Sequence, residues 1–453
     1  MIQYSNLNRV ILGILFTLFT VSALGQTNRL SREQMAQDID VLFSTIEKVH
    51  PDMYTVYPKE QLDKDIERVK SELEPSGDIF YFYRHVAPLV VKLGDGHTNF
   101  FPPFRGPEDL ANVLLFPLSI KISYPEREIF VREGHSAIPA EAQITSINNR
   151  KSENIVQEMM NYSSGEKDFF RIDKLNQLFP LMMCVLYGDS IYDIEYLFNR
   201  EKHSVRIKAI SINEASEILS QIGNMTPTEL YTFKILPKKN ISIIEFNQFT
   251  DLDKFKVFLD STFHVLQKEN IENLIIDIRK NGGGNSSLGD ELFQYISPVP
   301  FAQFGKTIVK YSDIQKQYAK AEYNREVTNP NGIEIYNENM ELIKLRENNL
   351  RYKGNVYLLI SHTTFSSAAS FSWAFKYFKM GTVIGEETGG MAVCFGDVIS
   401  QKLPISGLFY GTSYKKFYQY GATDDNIHGT LPDYEVKAEN ALDFTIDLIT
   451  QRK

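Results

Sequence analysis

The stretch Asn273-Leu274-Ile275-Ile276-Asp277-Ile278-Arg279-Lys280-Asn281-Gly282-Gly283-Gly284 decides how this chain folds. A short apolar run closed by turn residues reads as a strand buried on both faces, the kind found in parallel sheets. Outward from it, the pattern alternates. An apolar strand at 241–246 and an amphipathic helix at 252–267 precede it, and a helix at 287–295 follows. Further on come a strand at 355–360, a helix at 366–378 and a strand at 382–385. Alternating strands and helices predict an α/β domain with a largely parallel sheet. Such sheets carry their sites in the loops at the carboxyl ends of strands.

Two of those loops hold residues with chemical potential. Gly282, Gly283 and Gly284 expose successive backbone N–H groups, which can receive an oxyanion or cradle a phosphate. The triplet is not GxGxxG and no Gly-Lys-Ser/Thr follows it, so a nucleotide site is excluded. At the second loop, Ser366-Ser367-Ala368-Ala369 opens a helix, where orphan N–H groups and the helix dipole favour developing negative charge. A serine there is a nucleophile or a plain helix cap. A nucleophile also needs a base and an orienting group. His97, in the turn Gly94-Asp95-Gly96-His97-Thr98, is the candidate base, or else a cap on the preceding helix. Asp424 and Asp425, ahead of His428, are candidate carboxylates, or else an acidic surface turn. His362 lies near Ser367 in sequence, at a strand end that need not face the site.

The upstream half has a different texture. Residues 30–94 read as three helices: one capped at Ser31 and broken by Pro51, one at 61–73 and one at 79–93. Residues 111–212 alternate as strands at 116–122, 129–132, 142–147, 191–197 and 203–210. A helix at 152–160 lies among them, and a polar linker at 211–228 follows. A polar insertion occupies about 310–350.

At 453 residues the chain has room for several domains, and 43% hydrophobic with 23% charged residues is ordinary globular composition. The net charge of −9 argues against nucleic acid and anionic membrane surfaces as partners. Arg9 precedes an apolar run of about 15 residues ending in Ala23-Leu24-Gly25, which reads as an export signal over 1–25, or else as an uncleaved N-terminal anchor. The run is short of the roughly 20 residues a membrane span needs, so no stable insertion is expected after its removal. The product would be periplasmic or extracellular. Cys184 and Cys394 make neither a disulfide framework nor a zinc site, and the eight histidines show no HExxH spacing. Neither a metal nor a cofactor is implied.

Taken in order, five blocks resemble the carboxyl-terminal processing, or tail-specific, proteases of peptidase family S41 and their tricorn-core relatives. They are Leu93-Gly94-Asp95-Gly96-His97-Thr98, the strand and glycines of 274–284, Ser366-Ser367-Ala368-Ala369, Val383-Ile384-Gly385-Glu386-Glu387-Thr388-Gly389-Gly390, and Gly429-Thr430-Leu431-Pro432-Asp433. The resemblance spans roughly 85–435. It implies a ClpP/crotonase-like α/β core at 213–453, a PDZ-like domain at 111–212 and an N-terminal helical region at 26–110. It also implies Ser367 as nucleophile. Of the family's two designs, the serine–lysine one would place its lysine at Met391 or Ala392 and is absent. The other implies His97 as base and an acid at position 425, where Asp425 stands in place of Glu. Ser370 likewise stands where the family usually has Glu. Gly283, Gly284 and Ala368 are the implied oxyanion donors. The expected activity is endopeptidase cleavage of peptide or protein substrates, with oligomeric state left open. A catalytically silent peptide-binding protein and an esterase-type acyl hydrolase are the alternatives on this scaffold.

Overall fold

The apolar run ahead of the glycine triplet forms strand Asn273–Asp277, with Leu274, Ile275 and Ile276 wholly inaccessible to solvent. It belongs to a computed structural model that describes residues 29–111, 113–133, 135–215, 229–337 and 341–451. The export signal expected over 1–25 lies outside the described residues, as does most of the linker expected at 211–228. The chain divides into two units.

The second unit holds residues 228–311, 329–396 and 415–453. Its six-stranded sheet has the order Tyr231–Leu236, Ile241–Phe246, Asn273–Asp277, Asn355–Ile360, Thr382–Gly385, Tyr434–Glu435. The first pair is antiparallel and the others are parallel. Strand periodicity sorts the core into two layers. Ile244, Leu274, Ile276, Leu358 and Ile360 pack with side chains from helices Leu252–Lys268, Ser287–Ile296 and Ser367–Tyr377. Ile241, Ile243, Ile275, Tyr357, Leu359 and Ile384 pack instead with Ala441 and Ile449 of helix Ala441–Gln451. Each of these aliphatic side chains contributes about 1.5–3 kcal/mol on burial. The insertion read as polar is structured at its start: strand Phe304–Tyr311 pairs antiparallel with the edge strand Gly332–Asn337 and with residues 415–419.

The first unit holds the described residues up to 215 together with 312–328 and 397–414. Helix Arg32–Val49 starts with a reciprocal capping box between Ser31 and Gln34, as the sequence predicts, and helices Lys59–Glu72 and Ile79–Val91 follow. An antiparallel sheet runs in the order Glu201–Lys208, Ile191–Phe198, Gln143–Ile147, Ile129–Val131, Ile120–Ile122. Helices Ser152–Met159 and Asp168–Tyr187 accompany it in this unit. Asp38, wholly buried on the first helix, accepts the N–H groups of Ile405 at 3.1 Å and Ser406 at 2.7 Å. Sequence segments from the two ends of the chain therefore share this core. Neither Cys184 nor Cys394 is in a disulfide. Among the described residues no helix is long and apolar enough to cross a membrane.

Candidate active site

Ser367 is the first residue of helix Ser367–Tyr377, at the carboxyl end of strand Asn355–Ile360. The connecting turn is stapled by short side chains. Thr364 Oγ1 accepts the Ser361 N–H at 3.0 Å and donates to the Ile278 carbonyl at 3.0 Å, while Ser361 Oγ donates to the Arg279 carbonyl at 2.5 Å. Next to it, the wholly buried Asn281 ties three strand ends together. Its Nδ2 donates to Phe246 O, its Oδ1 accepts the Gly283 N–H, and its carbonyl accepts the Phe365 N–H.

The glycines are required by close approach. A Cβ on Gly283 would lie 2.6 Å from Ser366 Cβ and 2.8 Å from Ser367 N, and one on Gly284 would lie 2.1 Å from Phe249 O. Both have positive φ, 99° and 137°. The result is a flat backbone strip against which Ser367 sits, 9% exposed, with its Oγ donating to the Gly284 carbonyl at 2.5 Å. Strain is present one residue earlier: Ser366 adopts φ 52° and ψ −130°, a conformation that costs a residue with a side chain about 1–3 kcal/mol. Its carbonyl accepts the Ala369 and Ser370 N–H groups, so the helix start holds it there.

Sequence blocks far apart in the chain meet around this helix. Ser372 Oγ donates to Thr430 Oγ1 at 2.9 Å, and the Thr430 N–H donates to Thr388 Oγ1 at 2.7 Å. Ser370, where the family usually has Glu, accepts from Gln419 Nε2 at 2.9 Å. Of the implied oxyanion donors, the Gly283 N–H is bonded to Asn281 Oδ1 and the Ala368 N–H to Phe365 O at 3.1 Å. Asp425 lies exposed in a turn where its carbonyl accepts the Ile427 N–H, and neighbouring Asp424 accepts the Tyr418 hydroxyl at 2.7 Å. His362 Nδ1 is 3.9 Å from Glu386 Oε2. His428 Nδ1 is 2.7 Å from the Gly429 carbonyl, with its ring beside Trp373.

His97 belongs to the first unit, in the turn after helix Ile79–Val91 that Gly94 opens at φ 68°. Asp95, wholly buried, is the hub of this turn. Its Oδ1 accepts the His97 backbone N–H at 2.8 Å, and its Oδ2 accepts Ser413 Oγ at 2.7 Å and faces His50 Nε2 at 3.3 Å. Thr98 Oγ1 accepts the Ser413 N–H at 3.1 Å. Asn99 Nδ2 donates to Gly96 O, and Asn99 Oδ1 accepts Lys174 Nζ. Burial works to raise the Asp95 carboxyl. The hydrogen bond from His50, with help from His97 and Ser413, outweighs it and holds Asp95 well below the usual carboxylate range. For His97 burial wins and pushes the ring below its ordinary value, with Asp95 pulling it back up and Lys174 adding to the fall. Sequence reading missed His50, Ser413, Glu166 and Lys174. Nothing local marks them, because each reaches this turn through the tertiary fold.

Residues 240–436 match the model of peptidase family S41. Among solved structures, mature CPAF superposes with a TM-score of 0.63 at 12% identity, covering 92% of this chain and 97% of that one. Mature CPAF complexed with lactacystin gives 0.63 at 12% identity, covering 93% and 98%. The photosystem II D1 C-terminal processing protease gives 0.47 at 14% identity, covering 92% and 97%. At these identities the CPAF likeness speaks for the fold.

Proposed function

We propose that this chain, a serine-type peptidase of family S41 acting on peptides or proteins, is an exported endopeptidase whose nucleophile is Ser367 and whose general base is His97. One observation carries the choice of nucleophile: Ser367 opens a helix with its hydroxyl laid against a strip where Gly283 and Gly284 have no room for a side chain of their own. In the reaction, Ser367 Oγ attacks the carbonyl carbon and gives its proton to His97. The oxyanion of the tetrahedral intermediate is received by N–H groups of Gly283 or Gly284 and of Ala368, each worth about 3 kcal/mol. Collapse breaks the C–N bond as His97 protonates the leaving amine, leaving an acyl-enzyme. Water, deprotonated by His97, then releases the acid and restores Ser367. Asp425 orients the base on the strength of its spacing from Ser367. Residues 111–212 act as a PDZ-like domain, their antiparallel sheet taking an extended peptide at an open edge. The core is ClpP/crotonase-like from 213 onward, apart from 312–328 and 397–414, which belong to the first unit; the helices of 26–110 form an N-terminal region within that first unit, and 1–25 is the export signal.

A second reading has its own support. The Ser367 hydroxyl is bonded to Gly284 O, two implied oxyanion donors are bonded within their own turns, and Asp425 is exposed. These features suit a silent peptide-binding scaffold, or an enzyme whose serine must turn before it reacts. A fluorophosphonate probe separates the two. Labelling of the wild type that disappears in Ser367→Ala supports the enzyme; an unlabelled wild type supports the silent scaffold. Labelling that survives Ser367→Ala and disappears in Ser366→Ala moves the nucleophile to the strained neighbour.

A further inference from the structure

Asp95 has a side chain with no solvent exposure. A buried carboxylate is costly unless donors surround it, and this one has three: the His97 N–H, the Ser413 hydroxyl and His50. The role of His50 is fixed by its other nitrogen. Nδ1 accepts the Asp52 N–H at 3.1 Å, so Nε2 is the donor toward Asp95. His50 is itself 2% exposed, at the end of helix Arg32–Val49. The lock therefore joins a helix end, the His97 turn and Ser413. The same Oδ1 that accepts the His97 N–H also looks at the ring of the candidate base, 3.9 Å from His97 Nδ1. That leaves Nε2 as the ring nitrogen turned away from the carboxylate.

Resting on Ser367 and His97 as nucleophile and base, we propose that Asp95, locked by His50 and Ser413, is a positioning residue for His97, fixing the turn that carries the ring and stabilising the imidazolium formed when the ring takes a proton. Triad logic asks for a carboxylate behind the base, and here one is built into the same turn. Other charged groups act on the ring. Lys174, from helix Asp168–Tyr187, disfavours its charged form, and Asp397, from strand Val393–Lys402, favours it. Glu166 faces Asp95 and Lys174, and burial, followed by the charge of Asp95, pushes its carboxyl up to about 8. Lys174 is pushed down to about 8, by burial first. Asp95 is the anion whose removal should leave these others in place.

The test is an NMR titration of the His97 ring in the full-length Ser367→Ala protein, with the resonance assigned by its loss in His97→Gln. Asp95→Asn keeps the shape and removes the charge, so the His97 midpoint should fall by about one pH unit or more. Ser413→Ala removes a hydroxyl that competes with the imidazolium for Asp95, so the midpoint should rise. Damage to the turn alone would move both variants the same way. A midpoint unchanged in a folded Asp95→Asn protein overturns the proposal. If Asp95→Asn does not fold, Ser413→Ala decides: a rise supports the lock, and no change or a fall overturns it. Because the titration needs no turnover, its failure is distinct from failure of the nucleophile assignment, which the probe reads in the wild type.

Discussion

The turn that carries Ser367 is held by glycine backbone and by short side chains at neighbouring strand ends, and the turn that carries His97 is held by side chains drawn from distant parts of the first unit. Around Ser367 the working parts are two glycines with positive φ, one strained serine and an asparagine that bonds three strand ends. Around His97 they are a buried carboxylate, an imidazole, a hydroxyl and a lysine, drawn from positions 95, 50, 413 and 174. A backbone-built turn writes itself into consecutive residues, because glycine and small polar residues are needed where the chain bends. A side-chain-built turn leaves only one member in the local sequence and scatters the others.

Substitutions in the two turns test this difference. The largest effects should come from the reacting groups: Ser367→Ala and His97→Gln should each lose about 10⁴-fold or more in peptide hydrolysis, measured as kcat/KM. Near wild-type activity in either would remove that residue from the mechanism. In the wild type, kcat/KM should fall on the acid side with a midpoint below about 6.5, since the base must be neutral and burial lowers the His97 value.

Next is Gly283→Ala. Its Cβ has no room against Ser366 and Ser367 N, so probe labelling should drop about 100-fold and urea unfolding should register a loss of about 2–4 kcal/mol. A mild effect would mean the strip is softer than its backbone contacts imply. Asp425→Asn should cost about 10–100-fold in kcat/KM if spacing identified the orienter; a change under about 3-fold would leave Asp95 as the carboxylate that matters.

Smaller effects concern stability. Glu166, pushed up to about 8 by burial first, takes up a proton on folding between its ordinary value and that one. Its contribution is whole at low pH and is lost as pH rises toward about 8. The fall in Tm between pH 5 and 8.5 should therefore be smaller in Glu166→Gln than in the wild type, by about 2–6 °C. An equal fall in both would show that Lys174 offsets the charge fully. The smallest change should be Ser366→Gly, which relieves the positive φ and should raise stability by up to about 1 kcal/mol, less whatever the glycine loses in chain entropy.

The same contrast governs what could be read from sequence. The buried strands were legible to within a residue: 241–246, 355–360 and 382–385 coincide with Ile241–Phe246, Asn355–Ile360 and Thr382–Gly385. Unbroken aliphatic runs have few other places to go. The sequence pattern assigns no element to the stretch that forms helix Asp168–Tyr187. It is apolar on most sides and contains Pro180, so it shows no clean helical stripe. The stretch of about 310–350 read as a polar insertion because strand Gly332–Asn337 is an edge, with Ile333 and Ile335 exposed, and lacks a buried face to pattern it. Strands Val393–Lys402 and Phe409–Gln419 were not anticipated either; their polar residues interrupt the alternation. At the site, the serine and glycines could be singled out locally, whereas His50 and Ser413 acquire meaning only once the chain has brought them to Asp95.

That long reach also has a consequence in time. Ser413 follows Asp95 by 318 positions, and the partners of Asp38 follow it by 367 and 368. At ribosomal speeds of roughly 5–20 residues per second, the carboxylate at position 95 exists for roughly 15–60 s before its serine has been synthesised. Throughout that interval water must do the work of the missing donors. The unit that begins first is thus among the last to close, and a nascent or clipped chain ending before residue 405 would leave Asp38 without its two N–H donors and Asp95 without Ser413.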